Sequence, residues 1–532
     1  MKNKKVISLL VVLMILLMVI TACGGQTKKD EPQKEGDAKK EEVKVSGPKM
    51  GGVLQVVIDA DPPTIDPHAS STTLTFVVGY HIFEGLYTLD EQLKPIPMLA
   101  EDFPKISNDA LTYTFKLRTG LKFHNGNSVT AEDVVASLKR WGNMSKYGKS
   151  LFKNVEAVEA KDEQTVELKL TKPTGTTLVS LAMPNGGAFI YPKELCEKYP
   201  DKPMEEFIGT GPFKFVEWLP NQYIKLIRYE EYQPVEAATN GYGGKKVAYL
   251  DELKFIPISD ETVRITSVEG GEYDFADFVP VDEYTRLKDD PNIQAIPSAP
   301  RAWFAFNFNK RAGIMSNVKI REAFLTALDM EPILAAGYGD EAFWRVDPSI
   351  MLKEQAWWSD IGKEKYDQGD IEKAKKLLAE AGYKGEKIVW MSGPLEYNLS
   401  LAAKNQLEKA GFNIDLQSME WATLADRRKN PELWDIFSTG MTLKPDPTMF
   451  TALNPNYAGW WESPRLIKLL DNLAQETEFN KRYAIMEEIQ ELFYTEIPTV
   501  KVGDYANLRI LAKNVKGFTS MNEIFFWNVW KE

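Results

Sequence analysis

Two hydrophobic rhythms run along this chain. Positions 53–58 are Val, Leu, Gln, Val, Val and Ile, a short apolar run that reads as a buried strand. Asp61-Pro62-Pro63 stops it, because proline cannot donate to a ladder. From 111 to 117 the period is two: Leu111, Tyr113, Phe115 and Leu117 oppose Thr112, Thr114 and Lys116, which predicts a half-buried strand. Asn125-Gly126 marks a turn. Thr130, with Asp133 three residues on, then predicts a capping-box helix start, and Val134, Leu138 and Trp141 form an apolar helical stripe. Another alternating strand is predicted at 165–170, so 93–208 reads as a small α+β unit. Beyond Gly209-Thr210-Gly211-Pro212, residues 213–228 read as two strands joined near Pro220-Asn221. A strand at 251–257 and a helix at 261–269 follow.

The second half changes rhythm. Strands are predicted at 303–308, 387–391, 412–416 and 434–438. Helices are predicted at 317–328, 370–381, up to Ala410-Gly411, and at 421–428. Asp370 serves as N-cap and Gly382 as C′ residue of the second of these. Such alternation predicts βαβ units and a mostly parallel sheet. Two amphipathic helices, 463–475 and 480–494, close the region.

The amino terminus is of another kind. Lys2, Lys4 and Lys5 precede an almost unbroken apolar run over 6–20, then small Thr21 and Ala22, then Cys23. This is the order of a secretory signal peptide, and the run is shorter than the roughly 20 residues that span a bilayer. Ile20-Thr21-Ala22-Cys23 resembles a bacterial lipobox, which implies lipidation of Cys23, cleavage before it, and an address on the outer face of a cell membrane of the Gram-positive type. Residues 24–49 are charged and polar, without an aromatic side chain or an apolar period, and read as a tether.

Composition narrows the function. Once Cys23 is lipidated only Cys196 remains, so the body relies on its core rather than on a disulfide. Removing the three signal lysines takes the formal charge from −12 to −15, which argues against nucleic acid or anionic lipid as a partner. No G-x-S-x-G, H-E-x-x-H, phosphate loop or Cys/His cluster is present. His68, His81 and His124 stand far apart and read as surface or structural residues. Catalytic residues, metal ligands and cofactors are therefore not expected. With 13 Trp, 21 Tyr and 26 Phe, the chain has aromatic surface to spare for lining a cleft.

Several segments, in order, resemble the large solute-binding proteins of the oligopeptide, dipeptide and nickel ABC importers (bacterial solute-binding protein family 5). They are HIFEGL at 81–86, YTFKLRTGLKFHNGNSVTAEDVVASLKR at 113–140, GTGPFKFVEW at 209–218, SVEGGEYDF at 267–275 and VKIREAFLTALD at 318–329. The resemblance implies an α/β, two-lobed periplasmic-binding-protein-like fold with an extra α+β subdomain and a ligand cleft between the lobes. Lobe I is expected from 50–92, 209–298 and 497–532, the inserted subdomain from 93–208, and lobe II from 299–496. The implied role is capture of a peptide or peptide-like solute, lobe closure, and delivery by a monomer to ABC importer permease subunits, without enzymatic activity. Peptide-binding members add the ligand to a strand of the second lobe. The matching segment is Phe437-Ser438-Thr439-Gly440. Where such members commonly carry an Asp for the ligand's amine, Met441 stands here, and Lys444 occupies another often acidic position. Asp446 is a candidate substitute. The departure leaves open a ligand other than a simple peptide: an oligosaccharide, an opine-like compound or a metal chelate. A surface receptor or signalling role is a further alternative.

Overall fold

The computed structural model describes residues 47–532; the signal segment, Cys23 and most of the tether lie outside the described residues. The chain opens the body with β1 (Val53–Ile58) and later adds β2 (Phe213–Leu219), β3 (Tyr223–Arg228), β4 (Glu252–Pro257), β5 (Phe275–Val279) and β6 (Ile293–Pro297). It then crosses into a second sheet, made of β7 (Ala302–Phe308), β8 (Trp344–Arg345), β9 (Lys387–Ser392), β10 (Asn413–Ser418), β11 (Ile436–Thr442) and β12 (Thr499–Tyr505). It returns to the first sheet as β13 (Leu508–Ala512).

The first sheet has the order β6-β13-β5-β1-β4-β3-β2. Its centre is parallel, with β1 between β4 and β5. That position explains the sequence of β1, since a strand covered on both faces reads as a continuous apolar run. The second sheet has the order β8-β12-β7-β11-β9-β10. Every residue of its central strand β7 is buried.

This second sheet is mixed rather than mostly parallel. β9 runs parallel to β10 and β11, as βαβ units require, but β7 is antiparallel to both β11 and β12. The antiparallel half arises because β12 comes back from the C-terminal helices, a crossover that no local pattern announces. The α+β unit is a four-stranded antiparallel sheet under the helix Ala131–Met144, whose Thr130–Asp133 capping box is formed in both directions.

A buried ion pair ties this unit to the loop after β1. Asp66 accepts from Arg140 Nη2 at 2.5 Å and Nη1 at 3.2 Å, and from Tyr191 Oη at 3.0 Å. The backbone N–H groups of His68 and Met204 also donate to its carboxylate.

The two sheets are joined by two segments that run side by side. Ser298 N donates to Asn507 O at 2.7 Å, Asn507 N to Ser298 Oγ at 2.9 Å, and Arg301 N to Tyr505 O at 3.1 Å. A large apolar core lies against each sheet, with a smaller one beside each, and Leu443 packs against both large cores. The loop that follows β11 therefore sits where the lobes meet.

Candidate functional site

β11 has one paired edge and one that is half free. Along β7 it is paired throughout, from Phe308↔Ile436 to Ala302↔Thr442. On its other side β9 pairs only at Trp390↔Ile436 and Met391↔Phe437. β9 stops at Ser392, and the chain turns away into the helix Tyr397–Lys409. From Ser438 onward this edge has no strand partner among the described residues. Alternate residues of a strand turn N–H and C=O toward each edge, so these groups are available to an extended ligand.

The residues singled out from sequence fall into three settings. Phe437 and Met441 are buried, Phe437 against Trp434 at 5.0 Å between ring centroids and Met441 in the second-lobe core. Ser438 points inward, its Oγ accepting from Trp390 Nε1 at 2.9 Å and sharing a hydrogen bond with Ser400 Oγ at 2.7 Å. Thr439 and Gly440 are lined by tyrosines. The Thr439 hydroxyl donates to the Gly440 carbonyl at 3.3 Å, and the nearby Tyr457 phenol accepts from Arg428 Nη1 at 2.9 Å. Gly440 lies against Tyr505, whose hydroxyl is 2.5 Å from where a Cβ would stand.

Asp446 is elsewhere. It is buried and its carboxylate is held by Arg482, at 2.8 Å from Nη1 and 3.1 Å from Nη2, and by the Thr448 N–H and hydroxyl. In this arrangement its charge is already neutralised. The strand thus brings 437–441 together, while Asp446 faces a helix.

Three further residues that sequence reasoning did not single out, Glu523, Arg301 and Phe278, gather at the lobe junction beside Lys444. Glu523 is buried and accepts from Asn185 Nδ2 at 2.8 Å; burial raises its pKa, which nearby Arg301 opposes. Arg301 sits in the crossing segment with its guanidinium 5.3 Å from the Phe278 ring. Phe278 is 40% exposed at φ 53°, pushed outward by an irregularity in β5 between Ala276 and Val279. Lys444, in the loop after β11, has its pKa lowered by burial and by Lys146, against the attraction of Glu523.

With Lys444 they come from positions 278, 301, 444 and 523, and no spacing links them. The one local signal is an acidic residue opening the apolar run Ile524-Phe525-Phe526-Trp527.

Two hollows flank the junction. One of about 270 Å³ lies at the C-terminal ends of β1 and β5, walled by Ile58, Asp59, Thr73, Phe278 and Ile524. Ligands of open α/β sheets lodge at such strand ends. The other, about 530 Å³, lies between the inserted unit and the second lobe, with Lys146 and Tyr147 on one wall and Thr448 and Phe450 on the other.

Away from the junction, two histidines and Cys196 are buried in the packing. His68 and His81 are buried, with burial lowering each pKa to about 3. His81 Nε2 accepts from the Phe526 N–H at 2.9 Å. Burial pushes the Cys196 thiol up to about 11. Among the described residues no cluster of metal-ligating side chains occurs, and no helix is long and apolar enough to cross a membrane.

Residues 94–461 match the family described as bacterial extracellular solute-binding proteins, family 5, middle region. A probable peptide ABC transporter periplasmic-binding protein of Sinorhizobium fredii is 29% identical over 487 residues, covering 88% of this chain and 91% of that one. The glutathione-binding protein GsiB of Escherichia coli K12 is 28% identical over 503 residues, covering 88% and 92%. In fold, the ABC transporter substrate-binding protein CtaP of Listeria monocytogenes superposes with a TM-score of 0.80 at 24% identity, over 91% of this chain and all of that one. The match spans more than half of the chain and agrees with the two lobes and the junction just described: the chain belongs to the family 5 bacterial extracellular solute-binding proteins, and it is a non-enzymatic solute-binding component of an ABC importer.

Proposed function

We propose that the solute is a peptide or peptide-like molecule, bound as an added strand along the open edge of β11 and enclosed by closure of the two lobes. The observation that carries this reading is the free edge from Ser438 to Thr442. Backbone recognition tolerates varied side chains, which suits an importer of peptides. The names of the two relatives, one peptide-binding and one glutathione-binding, support the same class. The paired crossings near Ser298–Asn507 are the natural hinge; because Thr499–Tyr505 pairs within the second sheet, the return to lobe I moves from the expected 497 to Asn507, and 93–208 is carried as the inserted unit. Closure is favoured only by contacts made better in the closed form.

Diverse tri- to pentapeptide pools added to the purified protein are expected to raise its melting temperature. At a free ligand concentration of about 100 Kd the stabilisation is ~2.7 kcal/mol. No shift across the pools would sink the peptide assignment.

One observation keeps a second reading in view. With Met441 buried and Asp446 held by Arg482, the second lobe offers no free carboxylate at the place where an amine was expected. Stabilisation by oligosaccharides or chelates, and not by peptides, would favour the non-peptide solute.

The anchor belongs to the same proposal. Cys23, outside the described residues, carries the lipid, and each buried CH₂ contributes about 0.8 kcal/mol to holding the protein at the membrane. Labelled palmitate is expected in the wild-type protein and absent from Cys23→Ala. Equal labelling of the two would remove the assignment.

A further inference from the structure

Lobe I and the inserted unit are built as one body. A single apolar core runs through both, taking Phe76 and Phe525 from the lobe and Trp141 from the unit, and the Asp66–Arg140 pair crosses between them. The second lobe is joined to that body covalently only through the two crossing segments. Every other contact between the two has to break when the lobes part.

One such contact is made by the loop between the strand Thr165–Leu170 and the helix Thr177–Ala182. Gly175 N donates to Ala474 O at 2.9 Å. Ala474 lies in the last turn of the helix Pro464–Gln475, where carbonyls have no partner within the helix. The preceding carbonyl, Leu473 O, receives Arg482 Nε at 3.1 Å from its own lobe, and Ala474 O is met from the other body. The approach is close enough to require glycine: a Cβ on Gly175 would overlap Glu476 O and stand 2.9 Å from Arg482 Nε.

The seat under this loop is rigid. Arg482 is held by the Asp446 carboxylate at 2.8 Å and lies over the Trp357 ring at 5.1 Å. Two more inter-lobe contacts gather around the same tryptophan. Its neighbour Ala356 donates its N–H to Gln92 O at 3.4 Å. Phe479, with its ring centroid 4.8 Å from that of Trp357, carries Lys94 Nζ over its face at 5.2 Å. The Gly175 contact borders the 530 Å³ hollow, with Thr174 and Thr176 on one wall and Ala474 and Gln475 on the other, so it bridges a gap that is otherwise open there.

None of these groups belongs to the open edge of β11, and none needs cargo to form its contact. A contact made only when the lobes are together favours that state whether or not a ligand is present. Resting on the lobe closure proposed above, we propose that the loop 172–176 is a latch: by seating Gly175 on the end of Pro464–Gln475 it keeps the empty protein mainly closed, so that cargo does not have to supply the whole free energy of closure. Asp446 serves this latch by fixing Arg482 beneath it.

Small-angle X-ray scattering on the purified full chain tests the latch, with and without the tri- to pentapeptide pools. The empty wild type is expected to have the radius of gyration of the peptide-loaded protein. Gly175→Ala is expected to be larger when empty, to contract when the pools are added, and to bind them about three- to tenfold more weakly as the closed fraction falls. Lys94→Ser, at an exposed position, should move both readouts the same way by less, which guards against a folding defect at Gly175. An empty wild type as large as empty Gly175→Ala, with both contracting on peptide, would overturn the latch and leave closure standing. If the pools neither contract nor stabilise either protein, the peptide reading falls and the two empty proteins alone decide: a larger Gly175→Ala upholds the latch, and equal sizes overturn it.

Discussion

Arg140→Met is expected to cost the protein about 3–5 kcal/mol of stability, the usual penalty for removing one partner of a buried ion pair. Asp66 and Arg140 are both fully buried, and the carboxylate also receives Tyr191 and two backbone N–H groups. Without the guanidinium a carboxylate stays in the interior with hydrogen bonds but no counter-charge. The pair joins the loop after β1 to the helix Ala131–Met144, so loss of docking of the inserted unit should accompany the fall. An unfolding free energy from denaturant melts within about 1 kcal/mol of wild type would show that the pair holds little.

Acid should act on the same contact. Burial alone raises the Asp66 pKa, but Arg140 and the other donors bring it below its ordinary 3.8. A depressed folded pKa means that the contribution is complete above the ordinary value and is lost as pH falls through the folded one. Stability from this site should therefore hold at neutral pH and decline below about pH 4.

How much of this was legible beforehand depended on whether local pattern or long-range pairing decided the outcome. β1, the Thr130 capping box and the helix capped by Asp370 appear where their own residues put them. β11 was expected at 434–438 and runs Ile436–Thr442. Trp434 is buried without being in the strand, and pairing with β7 carries the strand on through Gly440, a residue that weakens an isolated strand signal. β5, β6, β12 and β13 are short apolar segments whose strand character comes from neighbours more than a hundred residues away in several cases, and their own patterns did not announce them. The site divides in the same way. The strand Phe437–Gly440 was visible as a segment, but its open edge is a property of where β9 ends. Arg301 and Glu523 look like ordinary surface charges until the fold brings them to one junction.

The sharpest test of that junction is Gly440. A methyl group there would stand 2.5 Å from the Tyr505 hydroxyl, but 3.5 Å from Cζ and 3.7 Å from Cε1, both ordinary contacts. Tyr505 cannot give way freely, since it stacks on Tyr338 with centroids 5.2 Å apart, and its carbonyl accepts from Arg301 in the crossing segment. Gly440→Ala is therefore expected to overpack the site at a cost of about 1–3 kcal/mol in stability. It should also weaken peptide binding on the order of tenfold, because the displaced ring moves against the open edge of β11 and the crossing beside it. Tyr505→Phe removes the one offending atom and leaves the stack. The double variant Gly440→Ala, Tyr505→Phe should return to within about 0.5 kcal/mol of Tyr505→Phe alone, a coupling that neighbouring residues show and distant ones do not. Denaturant melts and peptide calorimetry on the four proteins measure both terms. A double variant no better than Gly440→Ala would mean that the hydroxyl is not the obstacle. Unchanged peptide affinity in a destabilised Gly440→Ala would separate the packing from the site and move the ligand away from this part of β11.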